Sequence, residues 1–461
     1  MSPRRHFRRL LPVPVLLLVS TARAQTNLET NAGIQFNFSP PGAANLALGG
    51  AFIGLADDAT AAYTNPAGLT QLFQPELHVE ARGFEFTHVF TVHGDNRFDP
   101  EMPADTLEEG RAIDTTDGLS FFSYVHPFKN WTIALYRHEL ARFEANFGAA
   151  GALLPQETRL GSSLGVPGEL DGQLAKLDSE MDLQIVNHGF SLARRFGGLS
   201  LGLGLSYYDF STNTTARRTI LRPSGEDLFD GPANEQTQIG RDSDFGLIAS
   251  FLWQSSDRKW NVGGVYRQGP SFSLLAYSQH LQAPSDFFPD AMNPGSFHVP
   301  DIYGVGVAHK PNEAIRVTVD YDRVEYSDLI EDFVDIFGLG NFFGITSPSD
   351  DFDCFPSGGD VDLVAPGCFV IDDADEIHAG LEYFFARKNP FVIRLGAWFD
   401  PDHTLRFEGT NPAFQAIFQS REDEAHYTLG LGISHRSVHF AAAFDYSNRL
   451  STGSLSATVY F

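Results

Sequence analysis

Residues 199–206 read LSLGLGLS, with a leucine at every second position and only serine or glycine between them. The same alternation of apolar with small or polar residues returns at 315–322, at 427–434 and at the end of the chain, 454–461. A period of two places every apolar side chain on one face of a β-strand. The pattern therefore predicts an all-β protein whose strands each have one apolar face.

Fourteen runs of this kind follow one another along the chain, and their connections alternate in length. The runs cover 76–92, 118–127, 130–147, 183–195, 199–215, 242–254, 259–277, 298–310, 313–327, 375–387, 390–406, 424–435, 438–447 and 453–461. Connections after even-numbered runs are tight. Most of those after odd-numbered runs are long, the longest being 148–182, 216–241, 278–297 and 328–374.

Short turns at one end and long loops at the other are typical of an outer-membrane β-barrel. Closure into a barrel also satisfies backbone amides in lipid, because no strand edge is left unpaired. We therefore predict a 14-stranded antiparallel transmembrane β-barrel over residues 76–461. The alternative is a large soluble β-sandwich or propeller, which gives no reason for the alternation of connection lengths.

Composition agrees with a barrel and excludes some functions. The chain has 461 residues, with 58 acidic against 32 basic side chains and a formal net charge of −26. Such an acidic protein offers no basic surface for nucleic acid. The sequence contains no run of 18 apolar residues that would predict a transmembrane helix. We find no G-x-S-x-G, no H-E-x-x-H and no phosphate-binding loop, so no cofactor is expected.

The first 24 residues have the organisation of a secretory signal peptide. Arg4, Arg5, Arg8 and Arg9 precede a short apolar run from Leu10 to Val19, and Ala22-Arg23-Ala24 fits a cleavage site. Export through the secretory pathway would expose the two cysteines, Cys354 and Cys368, to an oxidising compartment, where we expect them to form a disulfide. The alternative is two free thiols in an exposed loop.

Residues 25–75 precede the first strand and lack its alternation. They are rich in glycine and alanine, and a 14-stranded barrel is wide enough to enclose such a segment. We therefore predict that residues 25–75 form a small-residue plug, or hatch, inside the lumen, where the barrel wall supplies its hydrophobic surroundings.

Residues 42–72 read GAANLALGGAFIGLADDATAAYTNPAGLTQL. This stretch resembles the N-terminal hatch of the FadL/TodX family of outer-membrane transporters for long-chain fatty acids and aromatic hydrocarbons. The family's Asn-Pro-Ala motif is Asn65-Pro66-Ala67 here, and the resemblance runs from this segment to Phe461. The long acidic loop 328–374 departs from the family's pattern.

The resemblance implies an outer-membrane transporter, without enzymatic activity, for hydrophobic small molecules. In that family the ligand is captured among extracellular loops, enters the barrel, and leaves sideways through the wall after the hatch moves. The expected partners are the hydrophobic ligand, outer-membrane lipid and lipopolysaccharide. The barrel-assembly machinery, which recognises a C-terminal aromatic residue such as Phe461, is a further expected partner, and we expect a monomer.

Five residues are candidates for ligand binding. Alternation points Arg267, Arg316 and Arg394 into the lumen, where a guanidinium group can hold a carboxylate. The alternative is that each pairs with an inward aspartate or with the hatch. Phe287 and Phe288, in the loop 278–297, could form an apolar capture groove, or could instead contact other loops or lipid.

Three further possibilities remain open. The acidic residues between 350 and 376 could bind Ca²⁺ or Mg²⁺, but their spacing is irregular, which favours a solvated loop and no metal site. An outer-membrane lipid-active enzyme would need a serine–histidine pair with an orienting carboxylate, and His403 and His426 lie near the rim. A porin or an adhesin is the other alternative function.

Overall fold

The structure is a computed structural model that describes residues 36–93, 107–155, 172–220, 226–281, 291–330, 369–386, 390–408 and 420–461. Eighteen strands lie in these ranges. They are β1 Glu76–His93, β2 Leu107–Phe128, β3 Trp131–Pro155, β4 Gly172–Phe196, β5 Leu199–Ile220, β6 Asn234–Gln254, β7 Trp260–Arg267, β8 Ser271–His280, β9 Ala291–His298, β10 Ile302–Asn312, β11 Ile315–Val324, β12 Phe369–Val370, β13 Ala374–Phe385, β14 Phe391–Asp400, β15 Arg406–Phe407, β16 Glu424–His435, β17 Val438–Tyr446 and β18 Leu450–Tyr460.

Sixteen of these strands form one closed antiparallel wall. Neighbours in sequence pair with each other around the wall, and β18 pairs with β1 to close it. β7 and β8 both pair with β6 and are separated only by residues 268–270, so they make one interrupted pass. β9 and β10 make another. The wall therefore has fourteen passes, which confirms the predicted 14-stranded barrel. β12 and β15 form a separate two-stranded sheet.

The outer and inner faces of the wall follow the alternation in the sequence. Leu199, Leu201, Leu203 and Leu205 are all exposed on the outside, whereas Ser200 and Ser206 are buried. Three of the four tryptophans, Trp131, Trp253 and Trp260, face outward beside the short turns, as expected for the aromatic girdle of a membrane barrel. Within the described ranges, no helix is long and apolar enough to cross a bilayer.

The N-terminal segment, as we call residues 36–75, contains two short helices and one 3₁₀ turn. These are α1 (Ala43–Leu46), α2 (Ala61–Thr64) and the 3₁₀ turn Pro66–Gln71. Its side chains are small, and most are fully buried although the segment has no sheet or long helix of its own. They are buried because the segment contacts the inner face of the wall at several strands, including β1, β6, β16 and β18.

Candidate functional site

Asn65 fastens the N-terminal segment to the wall. Its side-chain oxygen accepts a hydrogen bond from the Ala67 amide at 3.2 Å, which caps the 3₁₀ turn, and Pro66 occupies the first position of that turn. Its side-chain nitrogen donates to the carbonyl of Ile53 at 2.8 Å and to the carbonyl of Phe251, on β6, at 3.2 Å. One buried side chain therefore connects two parts of the segment and a wall strand.

Replacing Asn65 by alanine should loosen the segment. Loss of the cap costs about 1 kcal/mol, and leaving buried carbonyls without donors costs roughly 1–3 kcal/mol more. We expect chymotrypsin to cleave at Phe52 and Tyr63, both buried in the wild type, several times faster in Asn65→Ala. Gln74→Ala, an exposed position of the same segment, is the matched control. Equal cleavage of the two variants would contradict the role given to Asn65.

Glycines on the inner wall let the segment's backbone approach closely. A Cβ on Gly396, in β14, would lie 2.2 Å from the amide nitrogen of Gly49, and one on Gly202, in β5, would lie 2.2 Å from that of Ala67. At four further wall positions an added Cβ would lie between 2.3 and 2.8 Å from an atom of the segment; these are Gly263, Gly306, Gly380 and Gly430. Glycines that alternate with outward apolar residues in the sequence are thus the wall positions that the segment contacts.

Arg316 and Arg394 lie near the short-turn end of the lumen and share one carboxylate. Glu382 stands between them on the middle of three adjacent strands. Arg316 Nε donates to Glu382 Oε1 at 2.5 Å, and Arg394 Nε donates to Glu382 Oε2 at 2.8 Å. Arg316 also pairs with Asp57 of the N-terminal segment. Sequence reasoning named both arginines and the alternative that they pair with the hatch, but it missed Glu382.

Arg267 lies higher in the lumen and also touches the N-terminal segment. Its Nη1 donates to the carbonyl of Thr64 at 3.1 Å, and its guanidinium carbon lies 5.7 Å from the ring centre of Tyr63. All three predicted arginines therefore point inward and contact protein groups. The remaining predicted site residues, Phe287 and Phe288, and the predicted disulfide, Cys354 with Cys368, lie outside the described residues.

The wall opens between β2 and β3. Their pairing runs from Phe128 opposite Trp131 up to Phe121 opposite His138 and stops there. Beyond this point β2 continues beside β1, and β3 continues beside β4. Register shifts leave Ser120 without an opposite residue in β1 and Leu140 without one in β4. A bulge bends its strand, so two bulges at one height carry the two strands apart.

Polar side chains cross this gap between β2 and β3. A Cβ on Gly118 would lie 3.1 Å from Arg142 Nη1 and 3.3 Å from Glu139 Oε1. Arg137 Nη1 donates to the carbonyl of Leu119 at 2.6 Å. Side chains, rather than backbone hydrogen bonds, therefore cover the opening, and side chains can move without unfolding a strand.

The start of the N-terminal segment lies beside the same gap. Phe36 packs edge-on against Phe143 of β3, with ring centres 5.0 Å apart, and Phe38 stacks on Tyr326. His403 holds this stretch, since its Nε2 donates to the carbonyl of Phe36 at 3.0 Å and its Nδ1 donates to the carbonyl of Pro401 at 2.9 Å. Burial opposes charge on His403, but the Asp400 carboxylate outweighs it and raises the pKa of His403 to about 9.

Ionisable side chains on β11 and β13 also contact the segment. His378 Nδ1 donates to the carbonyl of Gly49 at 2.7 Å, and Asp320 Oδ2 accepts from the amide of Ile53 at 2.5 Å. Trp398 stacks on His378, with ring centres 5.4 Å apart. Alternation places these residues inward, but sequence reasoning did not single out His378 or Trp398, because the neighbours that define their role come from distant strands.

One group at the rim has residue types that suit metal binding or nucleophilic catalysis. His298, Asp301 and Asp328 offer ligand atoms within 4.8 Å of one another, and His298 Nδ1 lies 2.5 Å from Ser271 Oγ. However, Asp301 already accepts bonds from Tyr266 and the Gly269 amide. His298 Nε2 lies 3.7 Å from Asp328, beyond hydrogen-bonding distance. This geometry orients neither a metal ion nor a catalytic base.

Comparison with known proteins shows a shared fold at low sequence identity. No family model and no curated protein matches the chain. A Pseudomonas aeruginosa FadL homologue is similar in structure, with a TM-score of 0.56 and 12% identity over 89% of this chain and 96% of that one. The Ralstonia pickettii toluene transporter TbuX is similar too, with a TM-score of 0.52 and 15% identity over 93% of this chain and 100% of that one. The P. putida toluene transporter TodX has a TM-score of 0.51 and 12% identity over 92% of this chain and 99% of that one. This chain therefore has the barrel fold of those proteins.

Proposed function

We propose that this chain is an outer-membrane transporter that takes up hydrophobic small molecules, such as long-chain fatty acids or aromatic and aliphatic hydrocarbons. The chain would be exported through the secretory pathway, lose residues 1–24 and assemble as a barrel. In this proposal the N-terminal segment acts as a hatch, and the ligand leaves sideways through the gap between β2 and β3. Two of the proteins that share the fold, TbuX and TodX, are named as toluene transporters.

The gap between β2 and β3 is the observation that carries the proposal. A closed barrel satisfies its backbone best when every strand is paired along its whole length. The pairing of β2 with β3 ends where Ser120 and Leu140 bulge, and the barrel loses backbone hydrogen bonds there. A passage from the lumen to the lipid is a function that accounts for this loss. A hydrophobic molecule leaving there enters the hydrocarbon layer without crossing water.

The filled lumen distinguishes this proposal from a diffusion porin. Asn65, Arg316 and the wall glycines hold the N-terminal segment across the barrel. A porin's conduction requires an open aqueous channel. We propose that the segment blocks water and ions while the gap serves apolar ligands, and that a shift of Phe36 away from Phe143 opens the gap.

Chemical bridging of the gap tests the proposal. Gly118→Cys and Arg142→Cys, in a chain whose Cys354 and Cys368 are alanine, would be joined by a short bifunctional maleimide. We expect the bridge to reduce uptake of radiolabelled toluene and oleate, by a porin-deficient Gram-negative host, to the level of the empty host. Without the bridge, the same variant should retain most of its uptake.

The matched control bridges two strands that are paired throughout. Ser211→Cys and Arg241→Cys stand opposite each other on β5 and β6, and joining them should leave uptake unchanged. Equal uptake through bridged and unbridged gaps, at complete crosslinking, would show that the ligand leaves by another route. No uptake by the unmodified protein would overturn the transport function itself.

A further inference from the structure

Beside and above the N-terminal segment, towards the long loops, the inner wall has two unlike halves. The buried side chains of the half formed by β3 to β8 are apolar or, apart from Arg267 and His138, neutral and polar. Its buried side chains include Tyr136, Ile185, Phe210, Ile248 and Phe272. Phe210 and Phe272 stack with ring centres 4.7 Å apart. This half resembles the lining of a site for an aromatic ring or an alkyl chain.

The facing half, from β11 to β17, is built from ionisable side chains. It contains nine inward residues that are at most 9% exposed, namely Asp320, Asp322, Glu376, His378, Trp398, Asp400, Glu424, His426 and Asp445. Register aligns Asp320, His378, Trp398 and His426 in one row across four strands. Trp398 Nε1 donates to Asp445 Oδ2 at 3.2 Å, which extends the row to β17.

Negative charge predominates on this half. Nearer the short turns, Arg316 and Arg394 are paired with Glu382. Above that row, six carboxylates face the imidazoles of His378, His403 and His426 and the guanidinium of Arg449, which is already paired with Glu424. Among the described residues of this upper part, carboxylates therefore outnumber cations even when all three imidazoles are protonated. Charges interact strongly in a buried site, so a carboxylate entering here would be repelled and a cation attracted.

Several buried polar atoms on this half lack a partner in the described structure, among them one of Asp322 and one of His426. Asp322 is 8% exposed, and its Oδ1 has no hydrogen-bond partner. His426 is 1% exposed; its Nε2 also has none, and it faces the oxygens of Asp400 and Glu424 at 3.9 Å each. A buried acceptor without a donor is costly, so a ligand that supplies a donor gains binding free energy there.

We propose that, among amphipathic molecules, the passage favours those whose polar end donates hydrogen bonds, a protonated amine or a hydroxyl group, over those that end in a carboxylate. The apolar body would lie on the β3 to β8 half, and the donating end would face Asp322 and Glu376. This inference rests on the proposed transport function and narrows it to a substrate class.

Arg267 is the residue that could bind a carboxylate, which would contradict the proposed preference. Its Nε has no hydrogen-bond partner among the described residues, and a carboxylate could bind there. However, Nη1 is already bonded to Thr64, and the guanidinium group lies close enough to Asp322 for the two charges to interact. Binding of a carboxylate at Arg267 would have to compete with both.

Three probes of one chain length test the inference: radiolabelled dodecylamine, dodecanol and dodecanoate. Binding to the purified mature protein in amphipol would be measured by equilibrium dialysis, and an unrelated outer-membrane barrel would give the non-specific background. We expect the amine to bind about tenfold more tightly than the carboxylate or better, with the alcohol between them. Tighter or equal binding of dodecanoate would overturn the inference and leave the transport function standing.

Variants locate the effect. Asp322→Asn combined with Glu376→Gln should remove most of the preference for the amine, whereas Asp257→Asn, in the short turn between β6 and β7, should retain it. Arg267→Gln should raise the amine's affinity, because it removes a positive charge near Asp322. If the wild type binds dodecanoate as tightly as the amine and Arg267→Gln abolishes that binding, the site belongs to carboxylates. If a folded wild-type barrel binds none of the three probes and takes up neither toluene nor oleate, both this inference and the proposed function fail.

Discussion

Replacing Gly396 by leucine is expected to displace the N-terminal segment and to open the lumen to ions. A Cβ at this position would lie 2.2 Å from the Gly49 nitrogen and 2.3 Å from the carbonyl carbon of Leu48. Both contacts are with backbone atoms, which have no alternative rotamer, so the segment itself has to move. Overpacking of this kind costs about 1–3 kcal/mol, which raises the population of the displaced segment roughly 5- to 150-fold.

Conductance in planar lipid bilayers measures this displacement directly. If the segment blocks the lumen as proposed, the wild type should pass little current and Gly396→Leu should pass a sustained current. Gly453→Leu is the matched control, since Gly453 lies in β18 and a Cβ added there would meet no atom within 4 Å. Equal currents in Gly396→Leu and Gly453→Leu would show that the segment does not control ion flow, and would favour the porin alternative if both were large.

The barrel could be predicted from the sequence because lipid imposes a local rule. Every membrane-facing position must be apolar, so Leu199, Leu201 and Leu203 reveal their strand without reference to any other. The rule does not apply to the parts of the strands that extend beyond the lipid, and there the predicted strand ends are inaccurate. β2 begins at Leu107 and not at 118, and β4 begins at Gly172 and not at 183, since outward residues there need not be apolar.

The candidate site could be predicted only in part, because its contacts join distant strands. Period-two alternation gave the inward direction of Arg267, Arg316 and Arg394. It could not reveal that Glu382 stands between Arg316 and Arg394, because the register across β11, β13 and β14 depends on the ends of the long connection before β13. The gap between β2 and β3 has no sequence signal of its own, because the bulges at Ser120 and Leu140 are defined by the registers with β1 and β4.

Replacing Glu382 by alanine is the second change with a large expected effect. Glu382 is 2% exposed and holds Arg316 and Arg394 at 2.5 and 2.8 Å. Removing one partner from a buried ionic group costs roughly 3–5 kcal/mol, because charges are left without compensation away from water. We expect the midpoint of thermal unfolding, followed by the heat-dependent mobility of the barrel on gels, to fall clearly. Glu313→Ala, which removes an exposed ion pair with Lys310 in a short turn, should leave it unchanged.

A triple variant separates the role of these residues in the wall from their role in holding the N-terminal segment. Arg316→Met with Glu382→Leu and Arg394→Met replaces the whole buried group by apolar residues, which is often neutral or stabilising. The wall should then regain the stability that Glu382→Ala lost. Asp57, however, would still lack its partner, so chymotrypsin should cleave the N-terminal segment faster than in the wild type. If both the thermal stability and the resistance to chymotrypsin recover, Arg316 stabilises the wall alone. If the stability recovers but the cleavage stays fast, Arg316 also holds the N-terminal segment.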